Sequence, residues 1–231
     1  MIGLIGAMDV EVERLRALME KPVTETVSGA DYIRGSLMGQ EVVLARSGIG
    51  KVFAAICAQT MILRYGVTTI VNSGVAGTLT EALHIGDVAV STECVQHDMD
   101  TTAVGDPAGL LSGINIVRLP CSAEVARQFD RVCCEQEINH RLGLIATGDQ
   151  FVSSQSRRTW IGNTFEGAIA VEMEAGAIAQ VCYVNRVPFV SLRVISDEAT
   201  GNASIDFPTF VKAAAKTSSD ITLAWLKSLN G

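Results

Sequence analysis

The sequence predicts an α/β domain, and two kinds of segment and their junctions carry that prediction. Short runs rich in Val, Ile and Leu, as at residues 1–6, 68–73, 88–95, 142–147 and 187–195, suit strands buried on both faces. Between them lie Ala-rich or amphipathic stretches long enough for helices. Polar residues gather where the two meet. The clearest unit is residues 167–197, GAIAVEMEAGAIAQVCYVNRVPFVSLRVISD. There 167–171 and 187–195 read as buried strands of a parallel sheet, and 173–185 as the crossover helix. Glu172 and Glu174 follow the first strand, and Ser196 and Asp197 the second. Carboxylates are thus delivered to the carboxyl ends of strands, where α/β sheets collect ligands.

Residues 1–6 predict a strand and 7–19 a helix, with Val10, Leu15 and Leu18 as its apolar side. Glu11 and Glu13 fall in the first turn, where acids complement the helix dipole. Glu11 also follows a strand by one short turn, which sets it on the same rim as Asp197. Residues 31–37 and 41–47 read as strands joined by a tight turn at Met38-Gly39-Gln40. SGIGKV at 47–52 then enters a helix running to about Tyr65, a Gly-rich turn suited to an anion or a closely approaching backbone. It lacks the early glycine and the Ser/Thr of a P-loop. The strand at 68–73 ends in NSGVAGTL, whose Gly74 and Gly77 permit a tight turn or a close ligand.

The strand at 88–95 leads into a polar loop, residues 97–113. His97, Asp98 and Asp100 there fit turn-capping better than metal ligation, and no metal is expected. Residues 122–136 form an amphipathic helix capped by Ser122. The strand at 142–147 ends in TGDQFVSS, which sets Phe151 just beyond a strand end, either as core filling or as a stacking surface for a flat ligand. After Asp197 a polar loop leads to a final helix, 208–229. No linker, repeat or low-complexity tract interrupts the chain, so residues 1–231 are expected to form one domain.

Composition narrows the function. The chain is 48% hydrophobic, yet no run of about eighteen apolar residues suggests a membrane span. A net charge of −7 without a basic cluster argues against nucleic acid as a partner. Six cysteines occur without a CxxC pair, and the chain opens on an apolar strand with no basic leader. Reduced cysteines and a cytoplasmic location are the expectation.

Six segments in order, GAM-x-x-E at 6–11, SGIGKV at 47–52, SGVAG at 73–77, TGDQFV at 147–152, AVEMEA at 170–175 and Ser196-Asp197, resemble the 5′-methylthioadenosine/S-adenosylhomocysteine nucleosidases of the purine nucleoside phosphorylase superfamily. The likeness spans nearly the whole chain. It implies a central, mixed, partly closed β-sheet surrounded by helices, in a homodimer acting on an adenine nucleoside. It also implies roles. Phe151 stacks on adenine, and the main chain of Val152 bonds the base edge. Asp197, supported by Ser196, protonates N7. Glu174 grips the ribose hydroxyls, with Met173 against the sugar. Glu11 activates water, which Arg193 helps to hold. Met8, Ile49 and Phe207 line the pocket for the 5′ substituent, and Glu172 has a supporting structural role.

The chemistry explains these residue types. Cleavage of an N-glycosidic bond passes through an oxocarbenium-like sugar. Adenine leaves poorly unless a ring nitrogen is protonated, so an acid is needed. An aspartate ordinarily ionises near about 3.9, so Asp197 must hold its proton through burial or the charge of Glu174. Glu11 must stay ionised as the base, and a charged Glu174 favours the cationic sugar. No metal or cofactor is required.

This chain departs from the resemblance in places. Val75 stands where some relatives have Ser. In the loop 97–113, expected to reach the partner subunit's 5′ pocket, Val104 replaces an aromatic residue and Ser112 a proline. Nearby tyrosines are replaced by Asp106 and Ala108. The pocket is therefore expected to be wider or more polar, and a related substrate such as 5′-deoxyadenosine or aminodeoxyfutalosine competes. A phosphorylase on the same fold would need cations where Glu11 stands. A nucleoside sensor without turnover would not need both an acid and a base.

Overall fold

Among residues 1–230, which this computed structural model describes, ten strands and six α-helices alternate. In order they are β1 (Ile2–Gly6), α1 (Asp9–Ala17), β2 (Glu20–Val27), β3 (Ala30–Leu37), β4 (Gln40–Arg46) and α2 (Lys51–Tyr65). Next come β5 (Thr69–Thr78), β6 (Val88–Gln96), β7 (Leu119–Pro120), α3 (Ala123–Glu135), β8 (His140–Thr147) and α4 (Gln155–Thr164). Finally come β9 (Ala168–Glu172), α5 (Ala175–Asn185), β10 (Phe189–Asp197) and α6 (Ala203–Ser228). All ten strands belong to one mixed sheet; nine follow the order β10-β6-β8-β9-β5-β1-β4-β3-β2, β7 pairs with β6 off that path, and β10 also pairs with β5. That second pairing rolls β5, β10, β6, β8 and β9 into a closed barrel and leaves β1, β4, β3 and β2 as an open extension.

β5 makes this possible. One of its edges pairs with β10 from Ile70 to Gly77. The other pairs with β1 through Asn72 and then, at Gly77 and Thr78, with β9. Side chains alternate between two helical layers. Leu4, Val42 and Leu44 pack with α1, α3 and α6, whereas Ile5, Val43 and Ala45 pack with α2 and α5. Glycine sets one close approach in the open extension: a Cβ on Gly3 would lie 2.9 Å from the Met61 sulfur.

Several expectations change. β9 runs parallel to β8 but antiparallel to β5, and β10 runs parallel to β5. The 167–197 unit is therefore not a parallel crossover; closing the barrel reverses one strand against the other. β5 does not stop at residue 73. Gly74 and Gly77 lie within the strand with no positive φ, so they are needed for absent side chains rather than for a turn. α6 starts at Ala203, five residues before the expected start at Pro208, which lies inside the helix. In α1 the buried face is Glu11, Val12 and Leu15, while Leu18 is exposed. β2 and α4 went unread, β2 because it is exposed and carries Pro22, and α4 because it is polar. The β3–β4 hairpin turns on Met38 and Gly39, both at positive φ.

α6 seals the layer it shares with α1 and α3. Trp225 is buried, stacks on Phe129 at 4.9 Å and donates its indole N–H to Gln128 at 2.8 Å. Trp225→Ala should cost about 3–5 kcal/mol in urea unfolding. A cost below about 1 kcal/mol, the range of an uninvolved surface position, would contradict that packing.

Candidate active site

Where β1 ends and β9 has not yet begun, β5 is left without a neighbour on one edge, and a cavity of about 400 Å³ opens there. It is lined by Met8 and Glu11 from the start of α1, Ile49 before α2, Val75, Ala76 and Gly77 of β5, and Phe151 after β8. The β9–α5 junction gives Glu172, Met173 and Glu174, the end of β10 gives Ser196 and Asp197, and α6 gives Ser204, Phe207 and Pro208.

Glu11 is buried at the third position of α1. Its Oε2 accepts the N–H groups of Ala7 (2.7 Å) and Met8 (2.9 Å), and its Oε1 accepts that of Val75 (3.1 Å). It thus caps its own helix while facing the cavity. A side chain at Gly74 would run into Glu11 Oε1 and Arg193 Nη1, so glycine there is what admits both. Burial pushes the Glu11 carboxyl up, opposed by the charge of Arg193 and the three N–H donors.

Glu172 is the anchor of the β9–α5 junction. Its Oε2 accepts the N–H groups of Glu174 (2.9 Å) and Ala175 (2.8 Å), capping α5, and its Oε1 accepts the Thr147 hydroxyl. Glu174 follows as the residue before α5, and its Oε1 accepts the Gly50 N–H at 2.9 Å. The SGIGKV turn does meet anions, but they are the protein's own: the next amide, of Lys51, donates to Asp149 at 2.7 Å. The Lys51 ammonium pairs with Asp98 at 2.7 Å, tying α2 to the loop after β6.

Asp197 sits where the β10–β5 register shifts, a bulge that redirects it. It accepts the Ala199 N–H at 2.9 Å and the Ser196 hydroxyl at 3.0 Å. A Cβ on Gly77 would lie 2.7 Å from its Oδ1. Burial raises its pKa first, against those two hydrogen bonds, and the charge of Asp206 adds to the rise; Glu174 plays no such part. Phe151 is half-exposed and meets Phe207 edge to face at 5.5 Å, 74°. Val152 lines a small adjoining recess with Gly77, Met173 and Asp197 rather than the main cavity.

The remaining expected residues lie elsewhere. Arg193 is buried behind the wall, paired with Glu172 and 3.6 Å from Glu174, and also donates to Asn72, to Ser191 (3.0 Å) and to the Val75 carbonyl (3.4 Å). It does not line the cavity. Val104 and Ser112 are exposed and line no part of it. Asn72, Thr147, Ser204 and Pro208 were not singled out beforehand. Asn72 alone left a signal, as an amide inside an apolar strand.

Residues 1–227 match the model of the family described as the phosphorylase superfamily. The 5′-methylthioadenosine/S-adenosylhomocysteine nucleosidase of Staphylococcus carnosus is 42% identical over 99% of this chain and 100% of that protein. A crystal structure of the Neisseria meningitidis nucleosidase of the same name, in complex with methylthio-immucillin-A, superposes with a TM-score of 0.95 at 37% identity, covering 98% of each chain. The futalosine hydrolase of Helicobacter pylori superposes with a TM-score of 0.94 at 34% identity, over 98% of this chain and 97% of that one.

Burial and the neighbouring charge of Glu172 push Glu174 from the ordinary 4.5 up to about 8. The fold therefore holds this proton more tightly than the unfolded chain does. Its stabilising effect is complete below the ordinary value and is lost as pH rises through the raised one. Urea unfolding from pH 5 to pH 8 should show a loss of stability that Glu174→Gln reduces. An unchanged slope in that variant would refute the assignment.

Proposed function

This chain belongs to the 5′-methylthioadenosine/S-adenosylhomocysteine nucleosidase family of the phosphorylase superfamily, and on that premise we propose that it hydrolyses the N-glycosidic bond of these two nucleosides, releasing adenine and the 5-thio-substituted ribose. One observation supports the reading above the others: Glu11 and Asp197, a base and an acid on different elements, face one cavity whose remaining wall suits a flat base and a sugar.

Asp197 gives its proton to N7 of the adenine as the bond from C1′ to N9 breaks. Its burial favours holding that proton until the base needs it. Glu11 takes a proton from the attacking water, whose oxygen bonds to C1′. Three N–H donors favour its ionised form, whereas Glu174 has only one from the backbone. Glu174 accepts the ribose hydroxyls. In its ionised form, its proton having passed to solvent, it favours the positive charge that develops on the sugar as the bond to N9 breaks. Met173 lies against the sugar, Phe151 stacks on the base, and the Val152 main chain bonds the base edge. Ser196 steadies Asp197. Met8, Ile49, Val75 and Phe207 border the 5′ substituent. Arg193 acts through its neighbours, pairing with Glu172 and Glu174 and, by its charge, favouring ionised Glu11, which takes the water's proton.

Exposed Ile49, Val52, Phe53 and Ile56 around α2, with Val184 on α5, support a homodimer across these packed helices. Val104 and Ser112 would then border the partner's 5′ pocket. Residues 1–231 would act as one nucleosidase domain, and the free thiols suit a cytoplasmic location. No helix among the described residues is long and apolar enough to cross a membrane.

The likeness to a futalosine hydrolase, with the altered loop at 97–113, supports a second reading in which a related adenine nucleoside is the substrate. A phosphorylase is disfavoured, because the lining carries no lysine or arginine to receive phosphate and has carboxylates such as Glu11 in their place. Adenine release from methylthioadenosine, S-adenosylhomocysteine and 5′-deoxyadenosine, with and without phosphate, tests all of this. Release should be independent of phosphate and fall about 10²–10⁴-fold in Glu11→Gln and in Asp197→Asn, with ligand binding kept in the latter. Release only with phosphate, yielding a sugar 1-phosphate, would overturn hydrolysis.

A further inference from the structure

Away from the cavity, three side chains of different ligand chemistry converge where α3 turns back into β8. Asp130 and Cys134 stand four residues apart on α3 and share one face of it. The chain then reverses in a fixed turn. Glu137 takes a positive φ of 55°, and the N–H groups of Gln136, Glu137 and Ile138 donate to the carbonyls of Val132, Cys134 and Cys133 at 3.2, 3.1 and 2.9 Å. This returns His140, at the start of β8, to the same helix face. A carboxylate oxygen, a sulfur and an imidazole nitrogen come within 4.8 Å of one another.

The hydrogen bonds of His140 indicate what belongs between them. Nδ1 lies 2.8 Å from the carbonyl oxygen of Ile138. A carbonyl only accepts, so Nδ1 carries the hydrogen. In the neutral ring Nε2 then presents a lone pair, and it points at Asp130 Oδ1, another acceptor, 2.9 Å away. Two acceptors face each other beside the exposed Cys134 sulfur. A proton on Nε2 makes the contact an ion pair with Asp130, and a cation held by all three side chains would take that proton's place. Donation from the far ring nitrogen to a carbonyl is also the support that metal-binding histidines ordinarily have.

We propose that Asp130, Cys134 and His140 bind a divalent cation of the zinc class. Sulfur with imidazole favours zinc over magnesium or calcium, which want oxygen alone. Three protein ligands leave a fourth tetrahedral position for water, and donor distances of about 2.0–2.3 Å are within reach of small side-chain movements. Binding displaces the thiol proton to solvent and staples the end of α3 to β8. None of the three ligands lines the cavity, so the site is separate from the hydrolytic one.

The test uses the reduced full-length protein after chelator treatment, with Co²⁺ as a spectroscopic probe and Zn²⁺ as competitor. One equivalent of Co²⁺ should give tetrahedral visible bands and a thiolate charge-transfer band, both removed by Zn²⁺. Zn²⁺ should raise the melting temperature in a saturable way that Mg²⁺ does not reproduce. Cys134→Ser should abolish the charge-transfer band and weaken Zn²⁺ binding about tenfold or more, with adenine release from methylthioadenosine unchanged. Octahedral Co²⁺ without charge transfer, or equal Zn²⁺ affinity in Cys134→Ser, would overturn the proposal. Those readouts stand whether or not the hydrolytic assignment holds.

Discussion

The site depends on one buried guanidinium. Arg193 has 1% of its surface exposed and is surrounded by the carboxylates of Glu172, Glu174 and Glu11. Burying so many acids together is unfavourable unless a cation offsets them, and burying a cation is unfavourable unless each of its nitrogens finds an acceptor. Arg193 meets both conditions, with Ser191, Asn72, the Val75 carbonyl and Glu172 as acceptors. Glu172 passes the constraint on, since it caps α5 and thereby sets the direction in which Glu174 leaves the sheet. Losing one partner of such a pair would leave an uncompensated charge at a cost of about 3–5 kcal/mol.

The barrel gives this cluster its room. β5 leaves β1 and takes up β9 a few residues later, and the interval between those partners becomes the cavity floor. Gly74 falls on that interval and Gly77 where β9 takes over. The missing side chains are filled by Glu11 and Arg193 at one position and by Asp197 at the other. Backbone topology and catalytic geometry are therefore one arrangement: the sheet cannot close without exposing β5, and the exposed stretch is where the carboxylates meet.

Much of this was legible in the residues. Apolar runs located most strands, and acids at strand ends marked Glu11, Glu174 and Asp197. Strand direction was not legible, because a fully buried strand has the same composition whether its neighbour is parallel or antiparallel; the 167–197 unit looked parallel for that reason. Gly74 and Gly77 looked like turn residues, since a sequence does not distinguish a glycine chosen for φ from one chosen for space. Polar α4 and exposed β2 had no apolar period to reveal them. The Asp130, Cys134 and His140 cluster was invisible as spacing, because D-x₃-C-x₅-H joins a helix face to a strand through a turn whose geometry the sequence does not state.

Rolling the sheet into a barrel also decides how the molecule behaves in a crowd. Closure leaves β2 as the long unpaired edge of the described sheet, the kind of edge on which chains add to one another. β2 reads EKPVTETV: Pro22 removes a donor, and Glu20, Lys21 and Glu25 set charge along the rim. Arg64 and Tyr65 of α2 further hold Glu25 in place. Proline and charge on this strand, far from the cavity, are the features that make a sheet edge a poor template for another chain.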